Sequence, residues 1–268
     1  MNKNIIYEIM GCLSWTLRSP VFIIGSGRCG TSLFIRIMNS HDEVICFSGE
    51  GNDLWHPVSY PFGKRLIETP TIIENPKKFT EISLQNWPAD HEHRIVNIIS
   101  GFKALRGTKK IFLLKSAMIS FMIPKILSMF PDTRFIHIYR NGPSVVKSLE
   151  KKEWNKYANY FSSQFSFKLL CARYWNACIE EIEARNEELS LSDNGKIYEI
   201  SYEDLCADPA NTTQSIATFL GISPNGFSFD YSKISSKNFK VGNYKTDKEW
   251  KPLLEAMTPA LRKKGYLL

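Results

Sequence analysis

The stretch with the clearest chemistry is a glycine-rich turn, residues 25–32 (GSGRCGTS), which directly follows the apolar run Val21–Ile24. A strand, a glycine-rich turn and a helix in succession point backbone N–H groups and the positive end of a helix dipole at one place, where an anion can bind. Gly25 and Gly30 have the spacing of the phosphate loop G-x-x-x-x-G-K-[ST], but Thr31 stands where that pattern has lysine. The turn therefore predicts an anion site.

The missing lysine decides which anion is favoured. In nucleoside triphosphatases that lysine reaches the β- and γ-phosphates, so its absence argues against hydrolysis of ATP or GTP. Arg28 supplies a cation inside the turn instead. The other apolar runs do not end in an obvious aspartate for magnesium, and one ends in Tyr139-Arg140. These features favour metal-free transfer of an anionic group. The alternative is a tight strand–helix turn that binds nothing.

A second candidate site follows the apolar run Arg134–Tyr139 (RFIHIY). This run ends at Arg140, a turn follows, and a helix is predicted from near Pro143, since proline is favoured in the first turn of a helix. Ser148 lies eight residues beyond Arg140, about two helical turns into this region. If the helix folds back over the strand end, the arginine and the serine can face the same phosphate.

These turns need a sheet to hold them. Short, nearly continuous apolar runs suit strands that are covered on both faces, and they alternate with helical patterns, which predicts a parallel α/β sheet with right-handed crossovers. The predicted strands are Val21–Ile24, Val44–Phe47, Ile111–Leu114, Arg134–Tyr139 and Ile197–Ile200. The predicted helices are Ser32–Ser40, Met118–Phe130, Phe165–Leu189 and Pro209–Leu220, the last ending at Gly221.

We expect one domain over residues 1–268, because no linker or repeat divides the chain. The fold class predicted is α/β, a P-loop-type three-layer fold with a central, mainly parallel sheet flanked by helices. The segment Gly51–Gly107 has no clear period and is interpreted as an insertion with short helices. Residues Met1–Leu17 suit an amphipathic helix better than a signal peptide.

Taken together and in this order, the motifs resemble those of the PAPS-dependent sulfotransferases, where PAPS is 3′-phosphoadenosine 5′-phosphosulfate. Residues 25–32 resemble the 5′-phosphosulfate loop, and residues 130–148 resemble the 3′-phosphate motif. The segments Tyr202–Leu205 (YEDL) with Asp208-Pro209, and later Glu249-Trp250 with Gly265-Tyr266, are also similar to the family pattern. Arginine in the loop is closest to the carbohydrate and tyrosyl-protein sulfotransferase branches.

The resemblance implies a role for each matched residue. The loop residues would hold the 5′-phosphosulfate, and Arg28 would also stabilise the charge that develops on the bridging oxygen. Arg140 and Ser148 would bind the 3′-phosphate, and Tyr202 would lie near the adenine. The late segment 237–245 (KNFKVGNYK) resembles the last donor loop of the family. The implied donor-binding residues are Arg28, Cys29, Gly30, Thr31, Ser32, Arg140, Ser148, Tyr202, Lys240 and Tyr244.

The general base is less clear, because an acceptor hydroxyl must lose a proton and the histidine of some family members is replaced here by Ser116. The other family solution is a glutamate after the second strand, which selects Glu50, with His56 as the second choice. Lys115, at a strand end, would contact the sulfuryl group. The less favoured alternative is that Glu50 and Lys115 are solvated surface charges, and His56 could pack in a turn.

Other residues assigned to the site could also have purely structural roles. Tyr202 and Tyr244 could be core aromatics with satisfied hydroxyls, and Ser148 an ordinary helix serine. The aromatic residues of the segment 154–165 could cover the acceptor, although their helical spacing suits a core slightly better. The remaining histidines, His137 among them, have no ligand-like spacing and are interpreted as structural.

The composition of the chain limits the classes of protein to which it can belong. The 268 residues are 43% hydrophobic and 23% charged, with a net charge of +7, too modest to indicate a nucleic-acid binder. The six cysteines lack zinc or disulfide spacing, which predicts free thiols in a reducing, cytoplasmic setting, and no apolar run is long enough to span a membrane. We expect no metal and a small-molecule or saccharide acceptor. The alternatives kept open are a P-loop kinase or NTPase and a non-enzymatic polyanion binder.

Overall fold

A parallel sheet organises the molecule. The computed structural model describes residues 19–47, 49, 52–55, 73–106, 111–151, 165–234 and 248–266. Within these ranges five strands pair in the order β2-β3-β1-β4-β5, and every pairing is parallel. The strands are β1 (Val21–Ile24), β2 (Val44–Cys46), β3 (Ile111–Lys115), β4 (Arg134–Tyr139) and β5 (Ile197–Ser201). Since all run the same way, their carboxyl ends share one edge of the sheet.

The strands are buried on both faces, as their continuous apolar composition predicts. In β1, Phe22 and Ile24 face one apolar cluster, while Val21 and Ile23 face another. A third cluster lies among helices and includes Val146, Trp175 and Met257. The α/β fold class expected from the sequence is confirmed.

Ten α-helices are found among the described residues. They are α1 (Thr31–Met38), α2 (Asn52–Trp55), α3 (Pro76–Gln85), α4 (His91–Arg106), α5 (Ile123–Met129), α6 (Gly142–Glu150), α7 (Phe167–Glu188), α8 (Tyr202–Ala207), α9 (Pro209–Leu220) and α10 (Lys251–Lys263). Three 3₁₀ segments cover Ala117–Phe121, Tyr231–Lys233 and Lys248–Trp250.

The prediction of one helix over Met118–Phe130 was wrong. The chain instead forms the 3₁₀ segment Ala117–Phe121, breaks at Met122 and starts again as α5. Pro124 explains the break, because a proline has no N–H to donate within a helix and is tolerated only in the first turn.

The segment Gly51–Gly107, interpreted as an insertion with short helices, contains α2, α3 and α4, of which α4 is longer than expected. Helix α4 has 16 residues, and its buried positions include Ile95, Ile98, Ile99 and Phe102. That spacing is the i, i+3, i+4, i+7 pattern of an amphipathic helix. The helix predicted for Met1–Leu17 lies outside the described residues.

Among the residues described, none of the helices combines the length and the apolar composition needed to cross a membrane.

Candidate functional site

The turn after β1 adopts the unusual backbone that its glycines predict. Gly25 and Gly30 have φ values of 137° and 105°, and Arg28, which is not a glycine, has φ of 69°. A Cβ on Gly25 would lie 2.1 Å from the carbonyl oxygen of Ile138, so only glycine lets the turn approach β4 this closely. The left-handed Arg28 costs conformational energy, a feature that clusters at functional sites.

The turn leads into a helix end that has no side-chain cap. Gly30 is the N-cap of α1 and makes no side-chain hydrogen bond to it. The first N–H groups of a helix lack partners within the helix and favour an anion. Ser26 adds a second sign of a ligand, because its hydroxyl is buried and has no hydrogen-bond partner among the described residues. Ser26 was not singled out from the sequence.

Three positively charged side chains converge on this turn. Arg28 Nε donates a 3.0 Å hydrogen bond to Ser148 Oγ, and Arg140 Nη1 lies 3.5 Å from the carbonyl oxygen of Arg28. Lys115 Nζ lies 3.3 Å from Ser32 Oγ. The structure thus brings together Arg28, Ser32, Lys115, Arg140 and Ser148, as the sequence predicted. Cations from β3, from the end of β4 and from the turn itself would surround an anion at the start of α1.

The position of Lys115 bears on the lysine that is missing from the turn. The sequence has Thr31 at that position, but the structure supplies an ammonium group from the neighbouring strand, beside Ser32. Parallel pairing of β1 with β3, which sets Ile23 opposite Lys115, makes this possible. An anion at the turn would therefore meet an ammonium group even though the turn itself has no lysine.

Tyr202 joins the two predicted phosphate sites. The Arg140 guanidinium lies over its ring, 4.4 Å from the ring centre. The same ring lies against the turn, since a Cβ on Gly30 would be 2.1 Å from Tyr202 Cδ2. Tyr202 is buried, so it packs between the turn and Arg140.

Three further residues hydrogen-bond to the backbone of the site, and none of them was predicted from the sequence. Ser120 Oγ accepts a 3.0 Å hydrogen bond from the N–H of Gly25 and lies 3.3 Å from the carbonyl oxygen of the same residue. Tyr174 Oη accepts from the N–H of Gly27 at 3.1 Å, and Trp175 Nε1 donates to the carbonyl oxygen of Arg140 at 3.1 Å. Each partner lies 35 residues or more away in sequence, so no local pattern could have identified them.

Several predicted site residues lie outside the described residues, namely Glu50, His56, Lys240 and Tyr244. Of the aromatic segment, Phe165 is described, and Arg173 lies over its exposed ring. Cys29 is buried in the turn, and it, Cys46, Cys171, Cys178 and Cys206 are free thiols, as predicted.

A charged cluster lies on β4 and β5, next to the candidate site. His137 is buried and its Nδ1 lies 2.5 Å from Glu199, which also accepts hydrogen bonds from Lys264 Nζ at 2.7 and 2.9 Å. Glu183 joins as a partner of Lys264. His137, Glu183 and Glu199 are close enough to hold a cation, and the Lys264 ammonium already contacts both carboxylates. Burial lowers the pKa of His137, which fits the structural role predicted for it.

We expect Lys264→Met to destabilise the protein near pH 6 and to matter much less near pH 2. Burial alone would raise the pKa of Glu199, but His137 and Lys264 outweigh it and lower that pKa from 4.5 to about 2. The stability from this ionised carboxylate is present above about pH 4.5 and is lost as the pH falls through about 2. Denaturant unfolding of both proteins across this range measures the effect.

The matched control is Lys233→Met, which removes an exposed lysine paired with Asp230 and should leave stability nearly unchanged at every pH. A deficit of Lys264→Met that stays constant with pH would contradict the assignment.

The geometry of the turn and of the charged side chains around it indicates a general class of protein. A glycine-rich strand–turn–helix junction at the carboxyl edge of a parallel sheet, surrounded by cations, is the arrangement of α/β proteins that bind an anionic group there. Residues 20–225 match the model of the sulfotransferase family. The chain belongs to this family.

The chain is also similar to curated proteins. An uncharacterized protein of Aquifex aeolicus is 22% identical over 269 residues, which is 91% of this chain and 32% of the relative. The omega-hydroxy-beta-dihydromenaquinone-9 sulfotransferase Stf3 of Mycobacterium bovis is 29% identical over 114 residues, 42% of this chain and 29% of the relative. The chain therefore spans less than a third of the length of these curated relatives.

A solved structure supports the fold. The sulfotransferase domain from the curacin biosynthetic pathway superposes with a TM-score of 0.58 at 19% identity, covering 95% of this chain and 100% of that domain.

Proposed function

We propose that this protein transfers a sulfuryl group from PAPS to the hydroxyl group of an acceptor. The observation that carries the proposal is the meeting of Arg28, Lys115 and Arg140 at the uncapped start of α1. A donor with a phosphosulfate at one end and a phosphate at the other needs two neighbouring anion sites. The turn offers one, and the end of β4 with Ser148 offers the other.

The residues fit the donor in a specific way. The N–H groups at the start of α1 and the unpartnered hydroxyl of buried Ser26 would bind the 5′-phosphosulfate. Arg140 would bind the 3′-phosphate, a role that suits the planar guanidinium. Tyr202 lies under Arg140 and would pack near the adenine.

The chemical step moves one group and one proton. The acceptor oxygen attacks sulfur, the bond from sulfur to the bridging oxygen breaks, and adenosine 3′,5′-bisphosphate leaves. Arg28 would stabilise charge on the leaving oxygen and Lys115 the transferring sulfuryl group. Glu50 is the proposed base for the acceptor proton, with His56 as the alternative. No step in this scheme calls for a metal ion.

The acceptor is proposed as a class. Sugars, lipid-linked saccharides and tyrosine all carry the required hydroxyl. The Mycobacterium bovis relative is named for an omega-hydroxylated menaquinone, which adds long-chain alcohols to the candidates.

Calorimetry with adenosine 3′,5′-bisphosphate, in buffer containing a chelator, tests the donor. We expect micromolar binding without magnesium, followed by transfer of labelled sulfate from PAPS in an acceptor screen. ATP–magnesium is the decisive comparison, because Lys115 stands near the place of the absent loop lysine. Binding and turnover of ATP–magnesium, with none of the bisphosphate, would favour the kinase or NTPase alternative instead.

A further inference from the structure

We infer that Tyr174 and Trp175, neighbours on α7, are positioning residues that fix the spacing between the 5′ and 3′ parts of the donor site. The inference rests on the proposed PAPS donor. Neither side chain is assigned a contact with the donor, since both act through the backbone of residues that would bind it.

Tyr174 holds the glycine-rich turn. Its phenol oxygen accepts a 3.1 Å hydrogen bond from the N–H of Gly27. The side chain is 1% exposed, so water cannot easily replace this partner. The Gly27 N–H is partly buried and would lose this acceptor without the phenol, and the turn next to it contains the left-handed Arg28. The bond therefore helps to fix the conformation in which Arg28 is presented.

Trp175 holds the end of β4 in the same way. Its indole N–H donates a 3.1 Å hydrogen bond to the carbonyl oxygen of Arg140, and the ring is fully buried. The ring also lies against the following turn, because a Cβ on Gly142 would be 3.0 Å from Trp175 Cε3. The indole thus fixes the backbone from which the Arg140 side chain extends.

One helix can hold both segments because successive side chains on a helix point about 100° apart, at 3.6 residues per turn. Tyr174 thus reaches the turn after β1 while Trp175 reaches the end of β4. Other contacts also link these segments: Arg28 Nε donates a 3.0 Å hydrogen bond to Ser148 Oγ, Arg140 Nη1 lies 3.5 Å from the carbonyl oxygen of Arg28, and β1 pairs with β4. The two side-chain contacts are exposed, whereas the bonds from Tyr174 and Trp175 come from buried side chains and act on the backbone of each site.

The test uses three probes, namely adenosine 3′,5′-bisphosphate, 5′-AMP and 3′-AMP, titrated calorimetrically into the full chain. Tyr174→Phe should weaken binding of the bisphosphate and 5′-AMP about tenfold, the effect of losing one hydrogen bond, and leave 3′-AMP nearly unchanged. Trp175→Phe should weaken the bisphosphate and 3′-AMP and leave 5′-AMP nearly unchanged. In both variants the advantage of the bisphosphate over the monophosphates should fall.

Two matched variants control for the loss of a buried polar group. Tyr231→Phe removes a phenol that bonds Thr213, and Trp87→Phe removes an indole N–H that bonds the carbonyl oxygen of Trp55. Both should bind all three probes as the wild type does. Amide hydrogen exchange of the nucleotide-free wild type gives a readout that needs no variant to fold, and the Gly27 amide should be protected.

The outcomes separate the two hypotheses. If the wild type binds none of the probes, the proposed donor fails, and this inference with it. If the wild type binds the bisphosphate but each variant loses all three probes equally, or loses none, the positioning role is refuted while the donor stands. Rapid exchange of the Gly27 amide in the wild type would also refute it.

Discussion

Replacing Arg140 with alanine is expected to weaken binding of adenosine 3′,5′-bisphosphate by about a hundredfold. Hydrogen bonds to charged groups contribute roughly 1.5–3 kcal/mol each, and a guanidinium can make two to one phosphate. A loss of about 3 kcal/mol corresponds to slightly more than a hundredfold in affinity. Calorimetry without magnesium measures the change directly.

A second ligand, 5′-AMP, tests whether the effect of Arg140→Ala is specific to the 3′-phosphate. Binding of 5′-AMP, which lacks the 3′-phosphate, should change little in Arg140→Ala. Arg140→Lys should be intermediate, because lysine keeps the charge but cannot make the bidentate contact. Equal losses for the bisphosphate and 5′-AMP would place Arg140 elsewhere than at the 3′-phosphate.

Arg106→Ala is the matched control. Arg106 also lies over an aromatic ring, with its guanidinium carbon 5.3 Å from the centre of Phe102, but it belongs to the end of α4. The substitution removes the same charge and the same kind of ring contact, so a general effect of net charge would appear in both variants. We expect Arg106→Ala to bind the bisphosphate as the wild type does.

The second large effect is expected for Gly30→Ala, which should reduce bisphosphate binding about a hundredfold or more and abolish measurable transfer. The new Cβ would lie 2.1 Å from Tyr202 Cδ2, so either the turn or the buried ring must move. The backbone has φ of 105°, where residues with a Cβ are strained. The start of α1 and the contact between Tyr202 and Arg140 would both be displaced. Calorimetry and a sulfate-transfer assay measure the two losses.

Gly195→Ala is the control that separates the effect of a strained backbone angle from the effect of a steric clash. Gly195 also has a positive φ, 62°, but no atom lies within 4 Å of the Cβ that would be added. We expect this variant to lose some thermal stability, since a left-handed residue costs roughly 1–2 kcal/mol, and to keep its affinity for the bisphosphate. Wild-type affinity in Gly30→Ala would mean that the turn is not the donor site.

Local signals in the sequence determined most of the framework. The strand Arg134–Tyr139 and the helix Pro209–Leu220 were predicted to the residue. The strand is a continuous apolar run, and the helix has proline in its first turn and a left-handed Gly221 after its last residue. Where one local signal opposed another, as at Pro124 inside an apolar helical pattern, the prediction of a single helix was wrong.

The sequence also selected the residues of the proposed donor site that the structure brings together. Arg28 and Gly30 lie in one turn and Ser32 in the first turn of the helix that follows, while Arg140 and Ser148 follow a later apolar run, so their spacing along the chain carries the pattern. Parallel strands end at one edge of a sheet, which favours a meeting of the two segments, and the pairing of β1 with β4 in the structure brings them together.

Only the tertiary structure decided how the site is held. Lys115 reaches Ser32 from a strand 83 residues away, and Tyr174 meets Gly27 across 147 residues. Such contacts depend on which strands pair and on which face of a helix turns inward. A tyrosine or tryptophan in a buried helix has the same local pattern whether its polar atom binds a loop or another partner. Sequence by itself therefore determined most of the elements and the charged residues, and packing determined which buried polar atoms position them.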